Sequence, residues 1–208
     1  MPLHPIADLD DLFPGLSGVP VDLHDLGQIW GDSGTADTTR LLCRLARSGH
    51  VPVVEFGTFR GRTTYHLALN SAGPIHTVDI ARPVPEEVHE NVEHKTYPAY
   101  TPGELFRSAD PSIRGRITQW LGDSRTLNLA PLHAQAGLVY VDGGHSYEVC
   151  LADSHAAFRL VRPGGVVVWD DYGDYWPGVR RAVDELAARR DLYVLRRLGL
   201  VIYREPPV

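Results

Sequence analysis

The stretch Gly137-Leu-Val-Tyr-Val-Asp-Gly-Gly-His-Ser-Tyr-Glu148 decides how this chain is read. Five residues, Gly137 to Val141, form an apolar run that stops at an acid, Asp142. Two glycines and then His145 follow. A second run, Val166-Val-Val-Trp169, stops the same way at Asp170-Asp171. Strands that are apolar on both faces belong to parallel sheets covered by helices on either side. Ligands of such sheets bind beyond the strands' carboxyl ends.

Working outward, Val51 to Phe56 reads as a strand, Arg62 to Asn70 as a helix, and Ile75 to Asp79 and Ile117 to Leu121 as further strands. A helix is expected over Ser146 to Val161, ended by Arg162-Pro-Gly-Gly. Another is expected over Val179 to Arg190, before a closing hairpin from Leu192–Leu195 and Leu200–Tyr203. Upstream, Ser33 or Thr35 could cap a helix over Ala36 to Ser48. Residues 1–34, rich in Pro, Gly and Asp, read as an N-terminal arm, and 35–208 as a single domain. Glu55, Asp79, Asp142 and Asp170 thus all fall at strand carboxyl ends and should rim one crevice.

Composition bounds the function. The net charge of −6 opposes non-specific nucleic-acid binding and attachment to an anionic membrane. No apolar stretch approaches the ~20 residues of a membrane span. Two cysteines, Cys43 and Cys150, without metal-type spacing suit a reducing, cytoplasmic compartment, and the N-terminus does not read as a signal peptide. Nothing in the pattern speaks against a homo-oligomer.

The first strand enters Glu55-Phe-Gly57-Thr-Phe-Arg-Gly61-Arg-Thr63, a glycine-framed turn into a helix that is not the Gly-x-Gly-x-x-Gly of dinucleotide enzymes. Asp79, 24 residues after Glu55, is placed to accept from both ribose hydroxyls of an adenosine. Gly122-Asp123-Ser124 follows the next strand, as a simple cap or as an adenine contact.

The ordered set of these motifs resembles the class I S-adenosylmethionine-dependent methyltransferases, most closely the small metal-dependent O-methyltransferases that include catechol and antibiotic-sugar enzymes. The resemblance spans roughly residues 50–205. It implies a doubly wound, Rossmann-like seven-stranded α/β sheet, mostly parallel, with one antiparallel strand from the C-terminal hairpin. It assigns Glu55, Gly57, Gly61, Thr63, Asp79, Asp123, Ser124 and Asp142 to cofactor binding, with Thr63 at the methionine carboxylate. It assigns Asp142, Asp170 and Asp171 to Mg²⁺ or another divalent cation, and His145 to the base that deprotonates a small-molecule hydroxyl acceptor. Histidine replaces the catechol enzyme's lysine and Asp171 its asparagine, which leans toward the sugar-modifying branch.

The chemistry is self-consistent: clustered carboxylates raise one another's pKa unless a cation joins them, and oxygen donors suit Mg²⁺. Two other classes stay open. A nicotinamide-dependent oxidoreductase would use the same acid after the second strand but needs a third glycine and a catalytic lysine, and Lys95 is the chain's one lysine. A hydroxylase-like or binding-only relative would keep the cofactor loop without moving a methyl group.

Three features carry less. His89-Glu-Asn-Val-Glu-His94 spaces its histidines too widely for a zinc-protease helix. Trp169, Tyr172, Tyr175 and Trp176 could stack a sugar or phenol, or be core. Residues 97–112 could be a lid or a plain connection.

Overall fold

The computed structural model describes residues 3–26, 33–81 and 101–207. The His89–His94 segment and residues 97–100 lie outside these. In chain order the elements are β1 His4–Pro5, α1 Ser33–Arg47, β2 Val53–Phe56, α2 Arg62–Asn70, β3 Ile75–Asp79, α3 Glu104–Arg107, α4 Pro111–Arg114, β4 Ile117–Leu121, β5 Ala136–Val141, α5 Tyr147–Leu160, β6 Val161–Trp169, α6 Pro177–Ala187, β7 Tyr193–Leu195 and β8 Leu200–Arg204. They build one sheet in the order β1-β7-β8-β6-β5-β2-β3-β4. Among the described residues, only β8 runs against its neighbours. The expected seven strands are present, and a two-residue strand, β1, adds an eighth beside β7.

Strand alternation sorts the core into two layers. On β5, Val139 and Val141 face the layer that holds Ala157 and Leu160 of α5 and Val183 and Leu186 of α6. Leu138 and Tyr140 face the opposite layer, with Leu42 and Leu45 of α1 and Leu67 of α2. All of these are buried, so β5 is covered on both sides.

The helix before Arg162-Pro-Gly-Gly ends as expected, at Leu160, but the segment itself is part of the next strand. It does not separate α5 from the next strand, because the chain turns extended at Val161 and β6 begins there. Residues 162–165 are instead a bulge, pairing Ala136 with Val161 but Leu138 with Val166. The C-terminal tail pins it: Gly164 N–H donates to the Glu205 carbonyl at 3.1 Å, and Glu205 N–H to Gly165 at 2.9 Å.

The parallel ladder continues just past the strand ends. Asp142 N–H donates to Phe56 O at 2.9 Å, Asp170 N–H to Val141 O at 3.1 Å, and Gly57 N–H to Val78 O at 2.9 Å. These bonds bring the ends of β2, β3, β5 and β6 to one rim, where Asp79, Asp142 and Asp170 stand, whereas Glu55, expected there too, lies within β2 and is buried.

Candidate active site

The glycine-framed turn owes its shape to packing as well as to any ligand. Gly57 has φ +98°, and a Cβ there would lie 1.9 Å from the Asp142 carbonyl oxygen. Gly61 has φ +87°, and its Cβ would lie 2.6 Å from the Phe106 ring. Both glycines therefore admit other parts of the protein to the turn. Residues 101–107, within the segment read as a lid or link, rest directly on it. Gly103 N–H donates to Phe59 O at 2.8 Å, Leu105 N–H to Arg60 O at 2.9 Å, and Arg60 pairs with Glu104.

Glu55 lies 1% exposed on the face of β2 that meets α2. Its Oε2 accepts from the hydroxyls of Thr64 and Thr77, the latter at 2.6 Å. Burial, only partly offset by those two bonds, pushes its pKa up to about 7. The neighbouring Thr63 is half-buried at the start of α2, and it is Thr64 that reaches Glu55. Asp79 braces the turn from β3: its Oδ2 accepts Phe59 N–H at 2.6 Å and its Oδ1 accepts Ile80 N–H at 2.7 Å. Burial still holds its pKa above the usual carboxylate range.

Beyond β4, Asp123 pairs with Arg125 through contacts of 2.6–3.1 Å, which lower its pKa. Ser124 is the hydrogen-bonding neighbour of a buried carboxylate on α5, Asp153.

At the ends of β5 and β6, Asp142, His145 and Asp171 each bring one ligand atom within 4.8 Å of the others. His145 Nε2 lies 2.7 Å from Asp171 Oδ2. The imidazole is stacked on Trp176, with centroids 3.9 Å apart and planes at 14°. Asp171 holds a left-handed backbone, φ +60°, rare for a residue with a side chain, and this conformation accompanies a side chain directed at His145. The start of α6 closes in from behind, since a Cβ on Gly178 would sit 2.4 Å from His145 O.

Asp170 is arranged differently from its two predicted companions. Its Oδ2 accepts the Tyr140 hydroxyl and its Oδ1 accepts Asp171 N–H at 2.8 Å. Its pKa is pushed up to about 6 by burial and then by Asp171. Asp142 is held well above the carboxylate range by burial and then by Asp170 and Asp171. Tyr140, read from sequence only as a strand residue, is thus part of the site. Its one sequence signal is an aromatic hydroxyl two residues before an acid on the same strand face. The aromatic group divides: Trp169 is core, Tyr172 donates to Asp184, and Tyr175 packs edge-on against Trp176.

The donor set fits a divalent cation. It offers two carboxylates and an imidazole from adjoining strand ends, and the Asp142 pKa is raised partly by repulsion that a cation would relieve.

A family model described as a methyltransferase domain matches residues 54–172, from β2 through the acid pair after β6. The chain belongs to this methyltransferase family. Among solved structures, the methyltransferase fold here is similar to the calicheamicin methyltransferase CalS11, with TM-score 0.64 and 20% identity over 94% of this chain and 90% of that one. It is also similar to the O-methyltransferase NovP, with TM-score 0.63 and 19% identity over 83% and 80%. A third is the O-methyltransferase TomG from Streptomyces achromogenes, solved with S-adenosylmethionine, with TM-score 0.57 and 21% identity over 95% and 96%. A curated relative, uncharacterized protein R132 of Acanthamoeba polyphaga mimivirus, is 38% identical over 53 residues. That match covers 24% of this chain and 24% of the viral protein, so the aligned piece spans about a quarter of that relative's length. No helix among the described residues is long and apolar enough to cross a membrane.

Proposed function

We propose that the methyltransferase moves a methyl group from S-adenosylmethionine to a hydroxyl of a small molecule, with a divalent cation held by Asp142, Asp171 and His145 or by the predicted carboxylate trio with Asp170. The observation that carries this reading is the convergence of Asp142, His145 and Asp171 at the crevice that the cofactor turn also lines. The glycine turn, Asp79 and the Asp123–Ser124 segment would hold the cofactor. A bound cation would lower the pKa of the acceptor hydroxyl.

The chain's own groups supply the rest. With a cation on the carboxylates of Asp142, Asp170 and Asp171, His145 is left as the base. Asp171 fixes the imidazole through Nε2, which leaves Nδ1 to take the hydroxyl proton while the carboxylate steadies the imidazolium. An imidazole that ligated the cation could not also accept the proton. Trp176 limits the ring's rotation. Cofactor and acceptor held in line supply the remaining advantage. A sugar hydroxyl is the favoured acceptor class. CalS11, described as a TDP-rhamnose 3′-O-methyltransferase, has the same fold, and histidine stands at the base position here.

The same 2.7 Å contact supports a second reading in which the His145–Asp171 pair works without a cation. Methyl transfer to a panel of nucleotide sugars and phenols, with and without Mg²⁺ and with EDTA, tests both. Transfer abolished by EDTA and restored by Mg²⁺ supports the first, and transfer indifferent to EDTA the second. No transfer to any acceptor, with the protein folded and the cofactor bound, would count against methylation.

A further inference from the structure

The chemistry proposed above gives Tyr140 no task, yet its hydroxyl stands among the acids. The residue lies 2% exposed on β5, two residues before Asp142. Parallel register sets it beside Val168 of β6, two residues before Asp170. With a side-chain period of two, one phenol thus reaches the acids that follow two adjacent strands. Its hydroxyl donates to Asp170 Oδ2 and is also a hydrogen-bonding neighbour of Asp142. The other Asp170 oxygen, Oδ1, accepts Asp171 N–H at 2.8 Å. An ionised carboxylate offers about four lone-pair sites. The two donors occupy one site on each oxygen, fix the plane of the group, and leave a site free on each. A phenol is a neutral donor, so it restrains the acid without cancelling the charge a cation would seek.

We propose that Tyr140 is a positioning residue for the divalent cation, its hydroxyl holding Asp170 in the orientation that ligates. This rests on the cation reading above. Two effects of the phenol oppose each other. It screens Asp142 from Asp170, which lessens the repulsion that a cation would relieve, and it orients Asp170. A cation that takes a free lone pair leaves the phenol bond in place, so the screening is present before and after binding and largely cancels. Orientation does not cancel, because a carboxylate without its donor must be immobilised when the cation binds. Hydrogen-bond partners of metal-ligating groups are worth about 10–100-fold in metal affinity, so orientation wins.

The test is calorimetric titration of the full chain with Mn²⁺, wild type against Tyr140→Phe, with S-adenosylhomocysteine titrated into both. Tyr140→Phe should weaken Mn²⁺ binding about tenfold or more and leave S-adenosylhomocysteine within about threefold. Mn²⁺ affinity within about twofold of the wild type overturns the proposal. Tighter Mn²⁺ binding overturns it as well, by making the phenol a screen that the cation replaces. Equal weakening of both ligands overturns it by making the hydroxyl structural. No Mn²⁺ binding by the folded wild type overturns the cation reading itself, an outcome distinct from binding that ignores the substitution. A measurement on the wild type needs no variant to fold: infrared difference spectra of the chain carrying ring-labelled tyrosine, taken on addition of Mg²⁺. A shifted phenol band is expected, and spectra without any tyrosine change would overturn the proposal.

Discussion

Glu55 stands one strand away from the reacting groups, and its environment has a measurable consequence. Its pKa is about 7 in the folded protein against 4.5 for the free side chain. Between those values the folded protein keeps a proton that the unfolded chain has released. Stability therefore falls as pH rises across that window, by about 3 kcal/mol in full. Denaturation at pH 5 and pH 8 should show a smaller loss for Glu55→Gln than for the wild type. An identical loss would mean that the carboxyl is not buried as described. His145 makes the complementary prediction. His145→Ala should lower turnover by ~10²–10⁴, the range for a general base, while binding of S-adenosylhomocysteine stays within about threefold. Unchanged turnover would remove His145 from the chemistry. At this scale the sequence made the acids legible because each follows an apolar run. Tyr140 was not legible as a site residue. Its phenol reaches Asp170 only because parallel register sets Tyr140 beside Val168, two residues before that acid.

Between β2 and α2, the glycine turn is held by contacts that no local pattern reveals. Gly57→Ala would press a methyl group into the Asp142 carbonyl and force a left-handed backbone on alanine. A loss of at least about 2 kcal/mol is expected by chemical denaturation. Gly18→Ala, where a Cβ meets nothing within 4 Å, should stay within about 0.5 kcal/mol. Equal effects of the two would show that the turn does not pack on β5. The helix over Arg62–Asn70 and the strands Ile75–Asp79 and Ile117–Leu121 were readable to the residue, since period and boundaries agree there. The helix does stop just before Arg162-Pro-Gly-Gly, as expected, and the same residues also form a bulge in β6 that no local pattern reveals and that the Glu205 contacts hold. β1 was unreadable for a related reason, since two residues carry no period and pair through their backbone alone.

Across the whole molecule, the sheet order carries the account. Placing β5 between β2 and β6 sets the glycine-framed turn on one side of Asp142 and the Asp170–Asp171 pair on the other. On the proposed function, that one acid would serve both the cofactor side and the acceptor side of the crevice. The alternation of apolar strands and helices made this layout legible, whereas the acceptor was not, because acceptor pockets in this architecture are built from loops. The most direct test of the central claim is calorimetric titration of the purified protein with S-adenosylhomocysteine, repeated with Asp79→Ala. One-to-one binding in the micromolar range, weakened at least tenfold by the substitution, is the predicted result. No heat of binding from a folded protein at millimolar ligand would contradict the claim.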